Sequence, residues 1–346
     1  MNENLIQSFS INKQDYRDVY HIILDEHAGT DALQQYYNYN NSKFDNSLRN
    51  MGFFIPEKSL SNYLSTYLAI PSILNMDYIE QEFDPQEKES NILVDKMVRN
   101  NVVTKIFEEN GYQIIYSYNE YNLKPTNNSA HELCNTSIGS TQFMTFILDN
   151  TPIFIVQSLI EQGNYSPFVQ NRLCVFNELP FLDEEFLGPI FVHAHVLLPH
   201  YPFIFSSDGS INPYQTQMTR DEFDSLYLSQ LMYTDSLVLE LVEKLLAKEP
   251  QPIILIQSDH VDRQEETDNS NGYSFSNFAA YYFPNVELKT NDYPLLTPVN
   301  SFRILFNNNF GTNYDLLENK MYVIEDNKFK DVTTTLISNN TFNKID

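Results

Sequence analysis

Two acidic side chains and a histidine stand where buried β-strands are predicted to end. Asp25 directly follows the apolar run Val19–Leu24, and Asp259 and His260 come shortly after the apolar run Ile253–Ile256. Ligands of open parallel sheets bind outside the carboxyl ends of the strands, so these three side chains can share one site. A carboxylate oxygen beside an imidazole nitrogen suits Zn²⁺ or Mn²⁺. Taken singly, each aspartate also fits a helix cap, and the histidine a surface position.

A hydroxyl side chain stands at the start of another apolar stretch. Thr66 precedes the residues Tyr67–Asn75, which Pro71 interrupts. A threonine that opens a helix is suited to act as a nucleophile, because the free N–H groups of a helix N-terminus attract anions. The alternative is a threonine that caps an ordinary core helix.

Three more histidines lie close together in the sequence. The strand predicted over Phe191–Val196 places His193 and His195 on the same face, where we expect packed structural histidines, with a ligand role as the alternative. His200 follows between Pro199 and Pro202, which indicates a braced position where it can meet a ligand.

Hydrophobic periodicity predicts the elements that hold these residues in place. In chain order these are a polar helix or loop (31–50), a short strand (52–56), a helix (92–110), a strand (112–118) and a longer helix (221–248). Gly111 stands where the C-terminal cap of the first predicted long helix is expected. Alternating helices and buried strands predict an α/β fold with a mainly parallel central sheet and helices on both faces.

The composition restricts the classes of partner. The chain has 346 residues, 42% of them apolar, and a formal net charge of −25 from 46 acidic and 21 basic side chains. Nucleic acid is therefore excluded as an expected partner, because binding to its phosphates needs clustered Lys and Arg. The longest apolar runs are too short to span a membrane, and the first residues lack the pattern of a signal peptide. We expect a cytoplasmic protein as the chain is given, and an extracytoplasmic one if it is a fragment.

The chain shows no repeat and no linker rich in Pro, Gly or Ser. We expect a single catalytic domain over 1–335, with a more helical intervening region at about 80–180, and a flexible tail over 336–346. Cys134 and Cys174 lack the paired spacing of metal ligands and are expected to be buried thiols, with a single disulfide bond as the alternative.

Taken together and in this order, the motifs resemble a known family. They are similar to those of bacterial sulfatase-like hydrolases and transferases of the alkaline phosphatase superfamily, relatives of lipoteichoic-acid synthase and lipid A phosphoethanolamine transferase. The matching segments are Tyr20–Asp25, Ser61–Thr66 with Ile70–Ser72, His195–Phe203 and Ile256–His260.

The resemblance implies a role for each matching residue. It implies one divalent metal ion, Mn²⁺ or Zn²⁺ with Ca²⁺ or Mg²⁺ as alternatives, held by Asp25, Thr66, Asp259 and His260. It also implies that Thr66 is the nucleophile of a phosphate ester reaction with a covalent intermediate. His200 is expected to bind the anion or protonate the leaving oxygen, and Arg263 and Asn62 to contact substrate. The expected substrate is a small-molecule, glycan or polyol phosphate ester.

Two departures from the family pattern leave an alternative open. Val261 follows the Asp-His pair where the family usually has glycine, and Glu26 follows Asp25 where the family usually has Asp-Gly. An inactive binding or regulatory protein with the same fold is therefore the second hypothesis. A sulfate ester is the less favoured substrate, because neither cysteine lies in the Cys-x-Pro-x-Arg setting of ordinary sulfatases. Hydrolase and transferase remain open.

Overall fold

A computed structural model describes residues 5–83, 85–86, 90–117, 130–134, 167–213, 217–261 and 272–338. The strands in this part of the chain are β1 (Val19–Leu24), β2 (Lys58–Ser59), β3 (Gln113–Ser117), β4 (His131–Leu133), β5 (Ile190–Val196), β6 (Ile253–Gln257), β7 (Ala279–Tyr282), β8 (Leu295–Leu296), β9 (Tyr322–Glu325) and β10 (Lys328–Asp331). The helices are α1 (Thr30–Tyr37), α2 (Ser42–Asn50), α3 (Thr66–Asn75), α4 (Ser90–Arg99), α5 (Val102–Glu109), α6 (Pro167–Glu178), α7 (Leu182–Glu185), α8 (Arg220–Leu246), α9 (Ser301–Asn309) and α10 (Thr333–Ser338).

Six strands form the central sheet, in the order β4-β3-β5-β1-β6-β7. All neighbours are parallel except β7, which runs antiparallel to β6 at one edge. The middle strand β1 pairs with β5 and β6, so the carboxyl ends of these three strands lie side by side. The predicted mainly parallel α/β sheet is confirmed.

Both faces of the sheet are covered, which explains why its middle strands are mostly apolar. Successive side chains of a strand point to opposite faces, so Ile23 packs into one hydrophobic core and Ile22 into the other. The first core includes residues of α3, α5 and α9, and the second includes residues of α2, α6 and α8. The predicted placement of helices on both faces is therefore also confirmed.

The helix predicted over 92–110 is in fact two helices, α4 and α5. Asn101 separates them, because its side-chain oxygen accepts a hydrogen bond from Thr104 N at 2.7 Å and caps α5. Its side-chain nitrogen donates to Val98 O at 2.8 Å, near the end of α4. Gly111 follows α5 with a φ of 87°, as expected for a residue just beyond a helix end. Asparagine both ends one helix and starts the next, and the apolar spacing does not reveal this break.

The strand expected over 52–56 is wrong. Phe54 forms only an isolated bridge with Tyr281, and the short strand lies later, at β2, where it pairs with β8.

The expected intervening region of 80–180 contains α4, α5 and α6 but also β3 and β4. At the other end, Leu336 is fully buried within α10, so the described chain stays packed at the first residue of the expected tail.

The two cysteines form a disulfide bond, so the expectation of buried thiols is wrong and its alternative is correct. Cys134 follows the edge strand β4 and Cys174 lies on α6, with their Cα atoms 5.7 Å apart. That separation is within the usual range for a disulfide, and 40 positions of sequence separate the two residues.

Within the described residues, no helix is both long and apolar enough to cross a membrane.

Candidate active site

The ends of β1 and β6 bring the predicted metal ligands together. Asp25, Asp259 and His260 each offer one ligand atom, and these atoms all lie within 4.8 Å of one another. Asp25 is placed by its backbone N–H, which donates to Val196 O of β5 at 2.9 Å. All three side chains are buried. The pattern of a ligand just beyond the end of each buried strand therefore predicts their proximity correctly.

Thr66 joins this cluster from the first turn of α3. Its Oγ1 lies 3.1 Å from Nε2 of His260 and 3.5 Å from Oδ1 of Asp25. The capping position of α3 belongs to Ser65, whose side chain makes no capping hydrogen bond. Thr66 is therefore not the cap of this helix, because its hydroxyl faces Asp25 and His260 instead.

The cluster fits a bound cation. Oδ2 of Asp25 and Oδ2 of Asp259 are buried and, within the described residues, make no hydrogen bond. Nδ1 of His260 lies 3.0 Å from Val261 O, and because a carbonyl oxygen only accepts, Nδ1 carries the hydrogen. The neutral ring therefore presents the lone pair of Nε2 to the cluster. Buried carboxylate oxygens without hydrogen-bond partners, beside an imidazole lone pair and a hydroxyl, are the donor set of a divalent metal site.

The charges of the cluster are strongly coupled. Burial, with a smaller contribution from Asp259 and Glu26, raises the pKa of Asp25 to about 7, although His200 and His260 act to lower it. Burial also acts to raise the pKa of Asp259, but His260 and His195 outweigh it and lower that pKa. For His260, burial acts to lower the pKa, and the three surrounding carboxylates outweigh it and raise that pKa. Two carboxylates sharing one buried site repel each other, and a divalent cation relieves this repulsion.

His200 lies on the loop after β5, and Gln230 of α8 anchors that loop. The side-chain nitrogen of Gln230 donates to the carbonyl oxygens of Pro199, His200 and Pro202 at 3.0, 2.9 and 3.3 Å. Its side-chain oxygen accepts from the N–H groups of Ile204 and Phe205 at 2.7 and 3.1 Å. Gln230 is fully buried, so this one side chain satisfies five backbone groups of the loop.

The turn after Asp25 places a carboxylate beside His200. Glu26 has a φ of 62°, and Nε2 of His200 lies 3.6 Å from its Oε1. The Glu26 N–H donates to Oδ1 of Asp259 at 3.3 Å, and its carbonyl accepts from the Tyr227 hydroxyl at 2.8 Å. Glu26 thus stands at the rim of the cluster and links it to the His200 loop.

His193 and His195 have different surroundings although they share one face of β5. Nδ1 of His193 lies 2.9 Å from Nδ1 of His21, and both rings are buried. Nε2 of His195 lies 3.6 Å from Oδ2 of Asp25, so His195 belongs to the edge of the cluster. His193 is the packed structural histidine that we expected, whereas His195 lies beside a candidate metal ligand.

Asn62, which the sequence predicts to contact substrate, binds backbone groups in the structure. Its side-chain nitrogen donates to Lys320 O at 2.8 Å, and its side-chain oxygen accepts from Val299 N at 2.9 Å. Both polar atoms of this buried side chain bind backbone groups and hold distant segments together, so Asn62 has a structural role. Arg263, the other predicted contact, lies outside the described residues.

Two residues of the site were missed at the sequence level. Gln230 interrupts the apolar stripe of a long helix, and a buried polar residue in such a stripe is a usable signal. In the sequence, Glu26 differs from the family pattern but gives no sign of a role in the site. Its positive φ is visible only in the structure. Val261, the other departure, is buried and packs in a hydrophobic cluster with Phe203 and Tyr227.

Comparison with known proteins identifies the family of this chain. The family model described as Sulfatase matches residues 19–296. No curated protein matches the chain in a sequence search.

Three solved structures share the fold. The C-terminal periplasmic domain of EptC from Escherichia coli aligns with 12% identity and a TM-score of 0.58, over 95% of this chain and 97% of that one. The soluble domain of lipooligosaccharide phosphoethanolamine transferase A from Neisseria meningitidis aligns with 11% identity and a TM-score of 0.57, over 87% and 89%. The lipoteichoic acid synthase LtaP from Listeria monocytogenes aligns with 12% identity and a TM-score of 0.55, over 93% and 82%. A second structure of the EptC domain is a complex with zinc. The chain therefore belongs to the sulfatase family, in the alkaline phosphatase superfamily.

Proposed function

We propose that this chain is a metal-dependent phosphoester hydrolase or transferase with Thr66 as its nucleophile. One observation carries the proposal: the Thr66 hydroxyl lies 3.1 Å from His260 and 3.5 Å from Asp25, beside buried carboxylate oxygens without hydrogen bonds. Titratable groups with shifted pKa values cluster at functional sites, so a hydroxyl among them is a candidate nucleophile. Enzymes with this fold that transfer phosphoethanolamine or build lipoteichoic acid support a phosphoester as the substrate.

Asp25, Thr66, Asp259 and His260 would hold one divalent ion. When bound, the ion favours the alkoxide form of the threonine and neutralises charge that develops on the transferred group. Mixed oxygen and nitrogen ligands suit Zn²⁺ or Mn²⁺, and the zinc complex of the EptC domain supports this choice.

The protein's own side chains define the reaction. Oγ1 of Thr66 gives its proton to solvent and attacks phosphorus in line with the leaving oxygen, so that the bond to the leaving oxygen breaks as phosphothreonine forms. The N-terminus of α3 favours the negative charge of the bound phosphoryl group. His200 protonates the leaving oxygen, and Arg263 binds an oxygen of the substrate. Water then releases phosphate in a hydrolase, or an acceptor alcohol takes the group in a transferase.

We also propose that residues 1–335 form one catalytic domain that works outside the cytoplasm. The match of the family model over 19–296 supports the single domain. The Cys134–Cys174 disulfide supports an oxidising compartment, and the EptC domain is described as periplasmic. The substrate class is a small-molecule, glycan or polyol phosphate ester.

The test compares the wild type with Thr66→Ala and Thr66→Ser. Hydrolysis of p-nitrophenyl phosphate, bis(p-nitrophenyl) phosphate and p-nitrophenyl sulfate is followed with Zn²⁺ or Mn²⁺ added. We expect metal-dependent phosphoester cleavage that Thr66→Ala lowers by about 10³-fold or more and that Thr66→Ser partly retains. Full activity in Thr66→Ala would contradict the mechanism. Tight metal binding with no turnover of any ester would favour the second hypothesis, an inactive binding or regulatory protein with the same fold.

A further inference from the structure

A polar cavity lies outside the cluster of candidate metal ligands. Its volume is about 350 Å³, and its walls come from the start of α1, one face of α2, the segment 55–59 that contains β2, and the segment 276–279 that leads into β7. The residues that line it include none of Asp25, Thr66, His200, Asp259 and His260. A cavity of this volume is large enough for a small ligand.

Hydrogen bonds between the walls hold the cavity in shape. The Gly29 N–H donates to Ser276 O at 2.8 Å, where α1 begins. The backbone N–H of Asn277 donates to Ser59 O at 3.1 Å, and the Ser59 hydroxyl donates to Oδ1 of Asn277 at 2.8 Å. Nδ2 of Asn277 donates in turn to Ser258 O at 2.7 Å, at the end of β6. Since the fold itself fixes these walls, a ligand does not have to order them on binding.

The inner wall carries carboxylate oxygens that lack hydrogen-bond donors. Asp45 is only 7% exposed, and the Thr30 hydroxyl donates to its Oδ2 at 2.7 Å, but its Oδ1 accepts no hydrogen bond from the described residues. The carboxylate of Asp31 also accepts none within that part of the chain. Burial raises the pKa of Asp31, although Lys58 acts to lower it. Buried polar atoms normally have partners, so these oxygens indicate a ligand that donates hydrogen bonds.

The carboxylates of the cavity do not converge as zinc ligands do. In the part of the chain that the structure describes, only Asp25, Asp259 and His260 bring three possible ligand atoms within 4.8 Å of one another. A zinc site needs at least three such atoms around one point. A ligand that spans the cavity can instead reach each carboxylate separately.

The charges around the cavity are nearly balanced. The carboxylates of Asp31, Asp45 and Glu57 are offset by Arg49 and Lys58, so the formal charge of the wall is −1. The N-terminus of α1 adds the equivalent of about half a positive charge. A fully charged ligand of either sign therefore gains little from the wall as a whole. Hydroxyl groups suit it better, because each can donate to a carboxylate and accept from an arginine or a serine.

We propose that this cavity binds a single sugar unit through its hydroxyl groups. Asp31 and Asp45 accept hydrogen bonds from the sugar at the inner wall, and the exposed side chains of Arg49 and Ser42 donate to it at the mouth. This site is independent of the proposed function, because binding there needs neither Thr66 nor a metal ion.

The test follows binding of D-glucose, D-galactose and N-acetyl-D-glucosamine to the full-length Thr66→Ala protein by saturation-transfer NMR, with and without Zn²⁺. We expect at least one sugar to bind with a Kd in the millimolar range, as a ligand with so few atoms should, and equally well in both conditions. Asp45→Asn should raise this Kd by about 10-fold or more, because the amide nitrogen cannot accept a hydrogen bond. Glu240→Gln, which removes a carboxylate 63% exposed on α8, is the control and should leave the Kd unchanged.

A second variant blocks the cavity without removing a buried group. Ser42 is exposed and lines the cavity, so the indole of Ser42→Trp should fill the space and abolish sugar binding. Its melting temperature should stay close to that of the parent protein. This variant decides the question if Asp45→Asn proves too unstable to measure.

Several outcomes would overturn the proposal. Binding of none of the three sugars would mean that water fills the cavity. Binding that survives Ser42→Trp, or that requires Zn²⁺, would place the sugar elsewhere in the molecule. Putrescine or inorganic phosphate that binds more tightly than any sugar, and is lost in Ser42→Trp, would assign the cavity to a charged ligand. None of these results bears on Thr66, whose role is tested by turnover, so the two proposals can fail separately.

Discussion

The hydroxyl oxygen of Thr66 lies 3.1 Å from Nε2 of His260, although the two residues are 194 positions apart in the chain. Nδ1 of the same ring faces Val261 O, so the neutral ring directs its lone pair at the threonine. This contact joins the start of α3 to the end of β6. It places the proposed nucleophile and a proposed metal ligand in one cluster, and both functions should depend on the imidazole.

Replacement of His260 by Asn should therefore impair metal binding and catalysis together. Loss of the imidazole removes one of the few ligands, and we expect affinity for Zn²⁺ to fall by about 10-fold or more. Calorimetric titration of the metal-free protein measures this loss. His131→Asn, on the exposed edge strand β4, is the matched control and should bind metal as the wild type does.

The metal-free protein should become more stable when Asp25 is replaced by Asn. The substitution removes one of two buried carboxylates that repel each other, and it nearly preserves the shape of the side chain. We expect a melting temperature a few degrees higher without metal and little further rise when Zn²⁺ is added. A wild-type protein that metal fails to stabilise would contradict the assignment of the site.

The buried pair His21 and His193 should make the protein less stable in acid. Burial, together with the nearby His195, lowers the pKa of His193 to about 3. Burial, together with His193 and His195, also lowers the pKa of His21. Below pH 6.5 the unfolded chain binds protons that the folded protein does not, so the free energy of unfolding falls as the pH falls from 6.5 towards 3.

Replacement of His193 by Gln should reduce this dependence on pH. One histidine contributes about 1.4 kcal/mol per pH unit between its two pKa values. Urea unfolding at several values between pH 4 and 6 should show a slope that is smaller by about this amount in His193→Gln. Parallel curves for the variant and the wild type would show that His193 is protonated in the folded state.

Gln230 should be needed for both stability and activity. Gln230→Leu leaves five backbone groups of the His200 loop without their partner. At about 1 kcal/mol for a typical hydrogen bond, we expect a loss of about 3 kcal/mol or more. Hydrogen exchange should become faster at Ile204 and Phe205, and kcat should fall as His200 loses its position. Ser229→Ala, which removes one exposed contact to Ser207 N, should have a much smaller effect.

The disulfide between Cys134 and Cys174 should contribute measurably to stability. Replacement of both cysteines by Ser should cost about 2–4 kcal/mol, because the unfolded chain is no longer constrained. Thiol titration of the unfolded, unreduced protein should find no free thiol. Two free thiols would instead support the reduced state expected from the sequence.

The central strands and the candidate ligands that follow them can be recognised in the amino-acid sequence. A strand covered on both faces is mostly apolar, so β1, β5 and β6 can be recognised from their composition, although β1 carries one histidine and β5 carries two. The carboxyl ends of parallel neighbours meet at one edge, so residues just after such strands are expected to be neighbours in space. Asp25, Asp259 and His260 follow this rule.

The contacts between polar atoms, in contrast, depend on how distant segments fold against each other. Asn62 binds two backbone segments, and the two cysteines form a disulfide bond, because segments far apart in the chain pack together. The positive φ of Glu26 likewise depends on its contacts with Asp259 and Tyr227. Composition and spacing describe what one segment does locally, whereas these features arise from contacts between distant segments and therefore appear only in the folded protein.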